Sequence, residues 1–369
     1  MRLEFEGKRS VEDILNEDIA GNLDLSTLKT DTNKLFSGDN LHVMKCLLKN
    51  GYREKFDLIY IDPPFATNTI FRTDSKRNNT ISMANDGKIA YQDTLIGDAF
   101  LSFIRDRLVI ARELLSHKGS IYLHIDYKIG HYVKLVMDEV FGISNFRNDI
   151  TRIKCNPKNF NRKAYGNIKD LILFYSKTSQ PIWNNATMPY TKEEIEKLYK
   201  KVDANGRHYT TIPLHAPGET RMGKTSQAFK GILPPKGRHW RSSPEELEEL
   251  DRLGLIEWSK TNNPRKILYA DEKEGKKIQD IWEFKDPQYP SYPTEKNLDL
   301  LKQIINISSN KDSLVLDFFC GSGTTLIACE ELGRRWVGID KSPKAIEVVK
   351  KRLSKISNLY SPNIEIIKF

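Results

Sequence analysis

A chain of 369 residues is long enough for one large domain with a smaller inserted one. Its formal net charge of +9 favours an anionic partner. No apolar run approaches the roughly 20 residues that cross a bilayer, and Met1 to Glu6 lack a signal-peptide core. The four cysteines show no CxxC spacing, which argues against a disulfide framework or a zinc site. We therefore expect a cytosolic protein without a membrane segment or a bound metal.

The first informative motif is Asp62-Pro63-Pro64-Phe65, which follows a predicted strand at 57–61. Two consecutive prolines cannot continue a helix or donate to a sheet ladder, so the chain must leave the strand at the acid. A carboxylate, rigid carbonyl groups and an aromatic ring are then fixed at the carboxyl end of a strand, where open α/β sheets bind ligands. These groups suit a planar exocyclic amine. Four residues alone also fit an ordinary Asp-Pro turn.

The rest of the first half alternates between strands and helices. The polar stretch 68–88 is predicted to be a mobile loop, either a lid over a substrate or simple disorder. Strands at 149–154 and 170–175 are predicted to form an antiparallel hairpin at the edge of the sheet. The remaining predicted elements are a strand at 33–37, helices at 40–50, 100–115 and 131–141, and a strand at 121–125.

The alternation breaks between residues 177 and 290, where short helices at 192–201 and 244–253 lie among turns rich in Gly and Pro. Four tryptophans fall in this region, so we expect it to have a small core of its own: Trp183, Trp240, Trp258 and Trp282. The α/β rhythm then returns from residue 294 to the end of the chain. The whole pattern predicts a mostly parallel twisted sheet with helices on both faces.

A glycine turn lies between the predicted strand at 313–316 and the helix at 326–332, and its sequence from Asp317 is DFFCGSGTT. Gly321 and Gly323 allow a ligand to approach the backbone, and the helix offers free N–H groups. The turn lacks the lysine of a P-loop and the third glycine of a dinucleotide fingerprint. Asp340 ends the next predicted strand, where it can accept hydrogen bonds from ribose hydroxyls or cap the following helix.

Together these motifs resemble the β class of DNA amino-methyltransferases, which use S-adenosylmethionine. Residues 62–65 match the family's catalytic motif and 317–325 its cofactor loop. Residues 292–296 match the segment before that loop, and 38–40 match an acidic segment near the cofactor's adenine. Other segments are similar to the modification subunits of type III restriction systems. Two positions depart from the family, which usually has proline where this chain has Phe318 and Asn297.

The resemblance implies a Rossmann-like methyltransferase fold with a circularly permuted motif order. Residues 1–176 are then the catalytic half, 177–290 an inserted target-recognition region, and 291–369 the cofactor-binding half. The implied reaction moves a methyl group from S-adenosylmethionine to N6 of a flipped adenine in double-stranded DNA. Asp62 and the carbonyl of Pro63 accept the N–H bonds, Pro64 shapes the turn, and Phe65 stacks on the base.

The resemblance also implies the cofactor contacts, although a helix N-cap is an alternative role for Asp39 and a solvated helix-start lysine for Lys296. The expected cofactor-binding residues are Asp39, Asn40, Thr294, Lys296, Asp317, Phe319, Gly321, Gly323, Thr324 and Asp340.

A basic stretch between residues 221 and 241 carries six cations and no acid, with Phe229, His239 and Trp240 interleaved. In the context of a DNA methyltransferase we expect it to contact DNA phosphates, although a solvated charged face would have the same composition. A second basic stretch runs from 152 to 169. The expected DNA-binding residues are Arg221, Lys224, Lys230, Lys236, Arg238 and Arg241.

Three alternatives stay open at this stage. The base could be cytosine, methylated at N4, although the family's cytosine enzymes more often carry serine at the position of Asp62. The chain could be a DNA-recognition subunit with little activity of its own, or a methyltransferase acting on RNA or on a protein amine. A second copy and a restriction endonuclease subunit are further candidate partners. We expect a bacterial or archaeal cytoplasmic protein associated with the nucleoid.

Overall fold

The computed structural model describes residues 3–18, 32–64, 69–73, 88–93, 97–157, 163–220, 222–288, 290, 295–356 and 364–369, with the backbone alone for 69–73 and 88–93. Three expected site residues, Phe65, Arg221 and Thr294, lie outside these ranges, as does most of the predicted loop at 68–88. The chain divides into two compact units. The first unit is Met1–Asn185 with Gln279–Phe369, and the second is Ala186–Ile278.

The α-helices of these ranges are α1 (Val11–Asn16), α2 (Asn40–Leu47), α3 (Gly97–Leu114), α4 (Tyr127–Phe141), α5 (Lys192–Leu198), α6 (Pro244–Arg252), α7 (Leu298–Ser308), α8 (Thr324–Leu332) and α9 (Pro343–Ile356). The strands of the first unit are β1 (Asn33–Ser37), β2 (Phe56–Ile61), β3 (Thr69–Thr73), β4 (Lys88–Asp93), β5 (Leu115–Ile125), β6 (Phe146–Ile153), β7 (Lys169–Ser176), β16 (Ile281–Glu283), β17 (Leu314–Asp317), β18 (Arg335–Asp340) and β19 (Ile364–Lys368). Those of the second unit are β8 (Thr187–Met188), β9 (Lys201–Val202), β10 (His208–Pro213), β11 (His215–Pro217), β12 (Arg238–Trp240), β13 (Ile256–Trp258), β14 (Pro264–Tyr269) and β15 (Lys276–Lys277).

The first unit is built on a nine-stranded sheet in the order β16-β6-β7-β5-β2-β17-β18-β1-β19. All neighbours in it pair in parallel except β7, which is antiparallel to both β5 and β6. This confirms the predicted mostly parallel sheet. The antiparallel pairing of β6 with β7 is also confirmed. Its expected place at the sheet edge is wrong, because β16 adds a further strand beyond β6.

The core of this unit lies between the sheet and its helices. Residues 58–61 of β2 are all buried, as expected for a strand that is covered on both faces. One stripe of α3 is also fully buried, and its members Phe100, Ile104, Leu108 and Ala111 recur at helical spacing. The core therefore fixes β2 rigidly just before Asp62. Within the described ranges, no helix is both long and apolar enough to span a membrane.

The second unit contains a four-stranded antiparallel sheet in the order β13-β14-β10-β9 and two small antiparallel pairs, β11 with β12 and β15 with β8. Its buried cluster is Leu214, Phe229, Trp240 and Leu247, with Trp258 packed against it. The Trp240 indole N–H donates to the carbonyl of Gln227 at 3.0 Å, which satisfies a buried donor.

Two of the four tryptophans lie elsewhere, so the expectation that they share a core is wrong for them. Trp282 lies on β16 of the large sheet, and Trp183 stacks on Phe174 of β7 with 5.8 Å between the ring centroids. Residues 177–185 and 279–288 also belong to the first unit, because backbone groups in both segments bond to its sheet and helices.

Candidate active site

Four acids from distant parts of the sequence meet at one edge of the large sheet. Parallel strands end at the same edge, and β1, β2, β17 and β18 are adjacent and parallel there. Asp317 and Asp340 are the last residues of β17 and β18. Asp62 directly follows β2, and Asp39 lies two residues beyond β1. The motifs that the sequence analysis assigned to strand ends therefore lie together at one edge of the same sheet.

Asp62 presents its two carboxylate oxygens differently. Oδ2 lies 2.5 Å from Nζ of Lys296, and both side chains are largely buried. Oδ1 is buried and has no hydrogen-bond partner among the residues described. A buried acceptor without a partner costs free energy, and such exceptions commonly mark a ligand site. The geometry therefore leaves one oxygen of Asp62 available to a donor that is not part of the described protein.

The glycine loop is held in place by the two acids that flank it. Asp317 Oδ1 accepts the backbone N–H of Phe319 at 3.0 Å, and its Oδ2 accepts the Thr325 hydroxyl at 2.6 Å. Asp340 Oδ2 accepts the N–H of Gly321 at 2.9 Å. Burial raises the pKa of Asp317 to about 7, with the negative charges of Asp62 and Asp340 adding to the effect and the bonds from Thr325 and Phe319 opposing it.

Gly323 has a positive φ of 77°, and a Cβ built there would lie 2.8 Å from Cγ2 of Val349. We predict that Gly323→Ala lowers the free energy of unfolding by about 2–4 kcal/mol in urea titrations, from backbone strain plus overpacking. Gly333→Ala is the matched control, because Gly333 has a φ of 67° and a Cβ there would have no heavy atom within 4 Å. Equal losses in the two variants would show that the contact with Val349 is not restrictive.

Asp39 caps a helix, whereas Asp340 stabilises the turn that leads into one. Asp39 is the N-cap of α2, accepting the Leu41 N–H at 2.9 Å, and it pairs with Arg107 at 3.2 Å. Asp340 Oδ1 accepts the N–H of Ser342 at 2.8 Å, just before α9. Each carboxylate oxygen has two lone pairs, so these bonds leave room for further donors. The capping alternative is thus present for Asp39 only, because α9 is capped by Ser342, whose Oγ accepts the Ala345 N–H at 3.4 Å. A contact of either acid to a ligand stays a prediction.

Asn40 joins α2 to the glycine loop. Its side-chain amide donates to the carbonyl of Phe318 at 2.6 Å, and its Oδ1 accepts from Nε of Arg107, also at 2.6 Å. Burial lowers the pKa of Arg107 to about 10, against the opposing effect of Asp39 and Asp106. Phe318, which replaces a family proline, is fully buried in the core. Sequence reasoning missed Arg107, although a cation inside the apolar pattern of α3 is an available signal.

The side chains of Thr324 and Phe319 differ in their exposure at this edge of the sheet. The Thr324 hydroxyl is buried and bonds to Ser322 and to Arg352, the latter at 3.1 Å. A ligand contact at Thr324 would therefore use its backbone. Phe319 is partly exposed beside Phe103, with 5.9 Å between the ring centroids.

A buried polar network runs across the sheet beneath Asp62. The Tyr60 hydroxyl lies 3.0 Å from Nδ1 of His124, whose Nε2 lies 3.3 Å from Oδ2 of Asp170. Asp170 also accepts from Lys154 at 2.6 Å and lies 3.6 Å from Arg152, which pairs with Asp286 at 2.5 Å. Tyr60, His124, Asp170 and Arg152 are almost completely buried. The network therefore joins strands β2, β5, β7 and β6 by polar contacts.

The protonation states in this network follow from its contacts. Despite burial, the bond to His124 and the cation of Lys154 hold the pKa of Asp170 well below its usual range. An ionised Asp170 can only accept, so His124 carries its proton on Nε2 and the Tyr60 hydroxyl donates to Nδ1. Burial lowers the pKa of His124, which keeps the imidazole neutral. Arg152 and Lys154, the first cations of the second basic stretch, are both engaged in this network.

The cations of the basic stretch in the second unit differ in their surroundings, although the stretch itself contains no acid. Lys224 lies 3.6 Å from Glu245 and Lys230 pairs with Asp251, both acids of α6. These neighbours were not visible as a local pattern, because the fold brings α6 against the stretch. Lys236, Arg238 and Arg241 are exposed.

Arg238 and Arg241 belong to a cluster around His215. Nη1 of Arg238 lies 3.1 Å from Nδ1 of His215. Burial lowers the pKa of His215, and the cations of Arg238, Arg241 and Arg265 lower it further. Arg265 lies on β14, across from Glu257 of β13, and sequence reasoning missed it because its strand is distant in the chain. The cluster concentrates positive charge on one part of the second unit.

Comparison with known proteins places this site in a family. The DNA methylase family model, which covers N6 and N4 methyltransferases, matches residues 56–351. The chain belongs to this family. It is 42% identical over 328 residues to the type II methyltransferase M.EcaI of Enterobacter cloacae, a match that covers 87% of this chain and 69% of that protein. The predictions of a DNA methyltransferase and of S-adenosylmethionine as its cofactor are thereby confirmed.

A second relative comes from a type III system. The chain is 30% identical over 354 residues to the StyLTI Mod subunit of Salmonella typhimurium, covering 86% of this chain but only 52% of that protein. It therefore spans about half the length of this relative. Among solved structures, the M1.HpyAVI–SAM complex matches at 18% identity with a TM-score of 0.43, covering 86% of this chain and 98% of that one. In the part of the chain described, no cluster of His, Cys, Asp and Glu could hold a metal ion.

Proposed function

We propose that this DNA methyltransferase transfers a methyl group from S-adenosylmethionine to N6 of a flipped adenine in double-stranded DNA, within a restriction-modification system. The observation that most directly supports this function is the buried Oδ1 of Asp62, which has no partner in the described structure and lies at the edge that carries the glycine loop. An exocyclic amine is a donor of matching size and polarity.

The loop residues fit the cofactor. Gly321 has a φ of 49°, and the nearest atom to a Cβ built there is 3.9 Å away, so a ligand can approach its backbone. Asp340 and Asp39 retain lone pairs that can accept ribose or adenine donors. We propose that the cofactor is held by Asp39, Asn40, Thr294, Lys296, Asp317, Phe319, Gly321, Gly323, Thr324 and Asp340. When bound, S-adenosylmethionine supplies a methyl group activated by its sulfonium.

Asp62 acts on the amine. The lone pair of N6 is delocalised into the purine, so the nitrogen is a weak nucleophile until it becomes tetrahedral. Asp62 Oδ1 and the carbonyl of Pro63 accept its two N–H bonds, which orients the lone pair away from the ring plane. As the nitrogen gains positive charge these two acceptors stabilise it, and this stabilisation is greater in the transition state than in the ground state. Asp62 can then take the proton that the nitrogen loses. Pro64 fixes the turn, and Phe65 stacks on the base.

The second unit is proposed to bind DNA. An amine inside a duplex is out of reach, and flipping the base costs a few kcal/mol that phosphate contacts can offset. Arg238, Arg241 and Arg265 are the strongest candidates, because clustered guanidinium groups favour an anion. Arg238 contacts His215, Arg241 donates to the carbonyl of Pro213, and Pro213 pairs with Arg265 across the strands. Lys236 and Arg221 are further candidates. Lys224 and Lys230 would have to exchange their acidic partners on α6 for phosphates.

We predict that Arg238→Ala weakens DNA binding and lowers the slope of log K against log salt by about 1, because one phosphate contact is lost. Titrations of a labelled duplex at several salt concentrations measure both quantities. Arg252→Ala is the control, since this exposed arginine of α6 pairs only locally with Glu249 among the described contacts. Unchanged affinity at low salt in Arg238→Ala would remove that residue from the interface.

The deciding experiment identifies the methylated base. Duplex DNA is incubated with the protein and labelled S-adenosylmethionine, digested to nucleosides and separated. N6-methyladenine is expected, since Asp62 stands where the related cytosine enzymes more often have serine. N4-methylcytosine would support the second candidate. No label in DNA at high protein concentration would favour a recognition subunit, and preferential labelling of RNA or protein would reject DNA as the substrate.

We further propose that the protein works in the cytoplasm of a bacterium or archaeon, at the nucleoid, and that it binds a second copy of itself or a restriction endonuclease subunit. The similarity to a protein named as a Mod subunit supports an endonuclease partner. Light scattering after size-exclusion chromatography tests the homodimer, and copurification with the product of an adjacent nuclease gene tests the endonuclease.

A further inference from the structure

The contact between Lys296 and Asp62 is the basis of a further inference. The two residues lie in different halves of the sequence, yet Nζ of Lys296 is 2.5 Å from Oδ2 of Asp62. The side chain of Lys296 is 10% exposed and that of Asp62 is 15% exposed. Charges at this depth are poorly hydrated, and Lys296 and Asp62 compensate each other's charge.

The residues on either side of Lys296 are held in place. Glu295 Oε1 pairs with Nη2 of Arg352 at 3.1 Å. Asn297 is the N-cap of α7: its Oδ1 accepts the Asp299 N–H at 2.9 Å, and its amide donates to the carbonyl of Lys285. The backbone is thus anchored immediately before and after Lys296. This anchoring also gives a structural role to Asn297, which stands where the family usually has proline.

Arg352 connects this segment to the glycine loop. The same guanidinium that pairs with Glu295 donates from Nη1 to the carbonyl of Ser322 at 3.0 Å. The position of Lys296 is therefore coupled by direct contacts to the loop at which the cofactor is proposed to bind.

The consequence for Asp62 is orientational. A carboxylate rotates easily about its last torsion, with two nearly equivalent oxygens. The bond to Lys296 distinguishes them: Oδ2 is occupied and Oδ1 is left as the buried acceptor. We infer that Lys296 is a positioning residue, which fixes Asp62 so that Oδ1 faces the target amine. This inference rests on the proposed function and extends the role of Lys296 beyond cofactor binding.

An ammonium has three donors, so Lys296 can hold Asp62 and also contact another acceptor. The two roles predict different kinetics. A residue that only binds cofactor changes KM for S-adenosylmethionine, whereas one that orients the catalytic carboxylate changes kcat. Measuring kcat and KM separately therefore distinguishes the two roles of Lys296.

The test compares Lys296→Gln and Lys296→Met with the wild type in steady-state methyl transfer to duplex DNA. We expect kcat to fall by on the order of 10²-fold, the usual cost of misplacing a reacting group. The dissociation constant for DNA should change less than about threefold, and that for S-adenosylmethionine should rise by a smaller factor than the one by which kcat falls. Lys296→Arg keeps the cation and should recover part of kcat. Lys302→Gln is the matched control, because Lys302 on α7 forms a comparable ion pair with Glu331 away from the site.

Two outcomes would overturn the inference: wild-type kcat in Lys296→Gln, or a loss confined to KM for S-adenosylmethionine. Urea unfolding of each variant establishes that the protein is folded. If Lys296→Gln does not fold, Lys296→Met decides by the same two criteria, because it also removes the cation. A wild-type protein that methylates no DNA would instead reject the proposed function, so the two failures are distinguishable.

Discussion

Replacing Asp62 by alanine is expected to lower methyl transfer by on the order of 10³-fold or more, while DNA and cofactor binding stay close to wild type. In the proposed mechanism, the variant loses the acceptor that stabilises charge on the amine as the reaction proceeds, and such groups act on kcat rather than on ground-state binding. Single-turnover incorporation of labelled methyl groups into duplex DNA measures the effect, and equilibrium titrations measure the binding.

The controls for this experiment are available in the same region. Asp299→Ala removes an exposed carboxylate from the first turn of α7 and should leave transfer unchanged. Asp62→Asn keeps the shape of the side chain but not its charge, so it should stay severely impaired. Wild-type turnover in Asp62→Ala would refute the role given to this residue and with it the proposed chemistry.

The second large effect is expected from Asp170→Asn. This change leaves the cations of Lys154 and Arg152 facing a neutral amide inside the first unit. Removing one partner of a buried ion pair typically costs about 3–5 kcal/mol, because the other charge stays desolvated. Urea unfolding followed by circular dichroism should show a loss of this size at neutral pH. Glu347→Gln, in an exposed pair with Lys344, should cost less than about 0.5 kcal/mol.

The difference in stability between wild type and Asp170→Asn should depend on pH, because the folded wild-type protein has a depressed pKa at Asp170. Asp170 has a folded-state pKa below its ordinary value of 3.8, so the unfolded chain binds its proton first as the pH falls. The stabilisation from Asp170 is therefore complete above that ordinary value and is lost as the pH falls toward the folded-state pKa. The difference between wild type and Asp170→Asn should shrink in acid. A difference below about 1 kcal/mol at neutral pH would show that the pair is not buried in solution.

The sheet could be predicted because its strands are long apolar runs separated by amphipathic helices. Asp62 follows β2 and precedes two prolines, and Asp340 ends β18 two residues before Ser342, so the strands and the acids at their ends are both visible in the sequence. β16 was not predicted, because three residues, Ile281–Glu283, are too few to show a period. Its pairing with β6 is decided by tertiary contacts.

The site was only partly predictable. The acids and glycines could be placed because local chemistry limits what such motifs do. The partners that orient them could not: Arg107 on Asn40, Arg352 on Glu295 and Lys296 on Asp62 all join distant segments. Their geometry depends on how strands are ordered in the sheet, and a single sequence contains no direct signal for such pairs.

The ends of the second unit lie side by side. Thr187 of β8 pairs with Lys277 of β15, and the N–H of Ile278 donates to the carbonyl of Ala186 at 2.9 Å. An inserted module whose entry and exit are one strand spacing apart can be exchanged for another without stretching its host. The second unit can therefore vary in size and sequence while the nine-stranded sheet of its host stays unchanged.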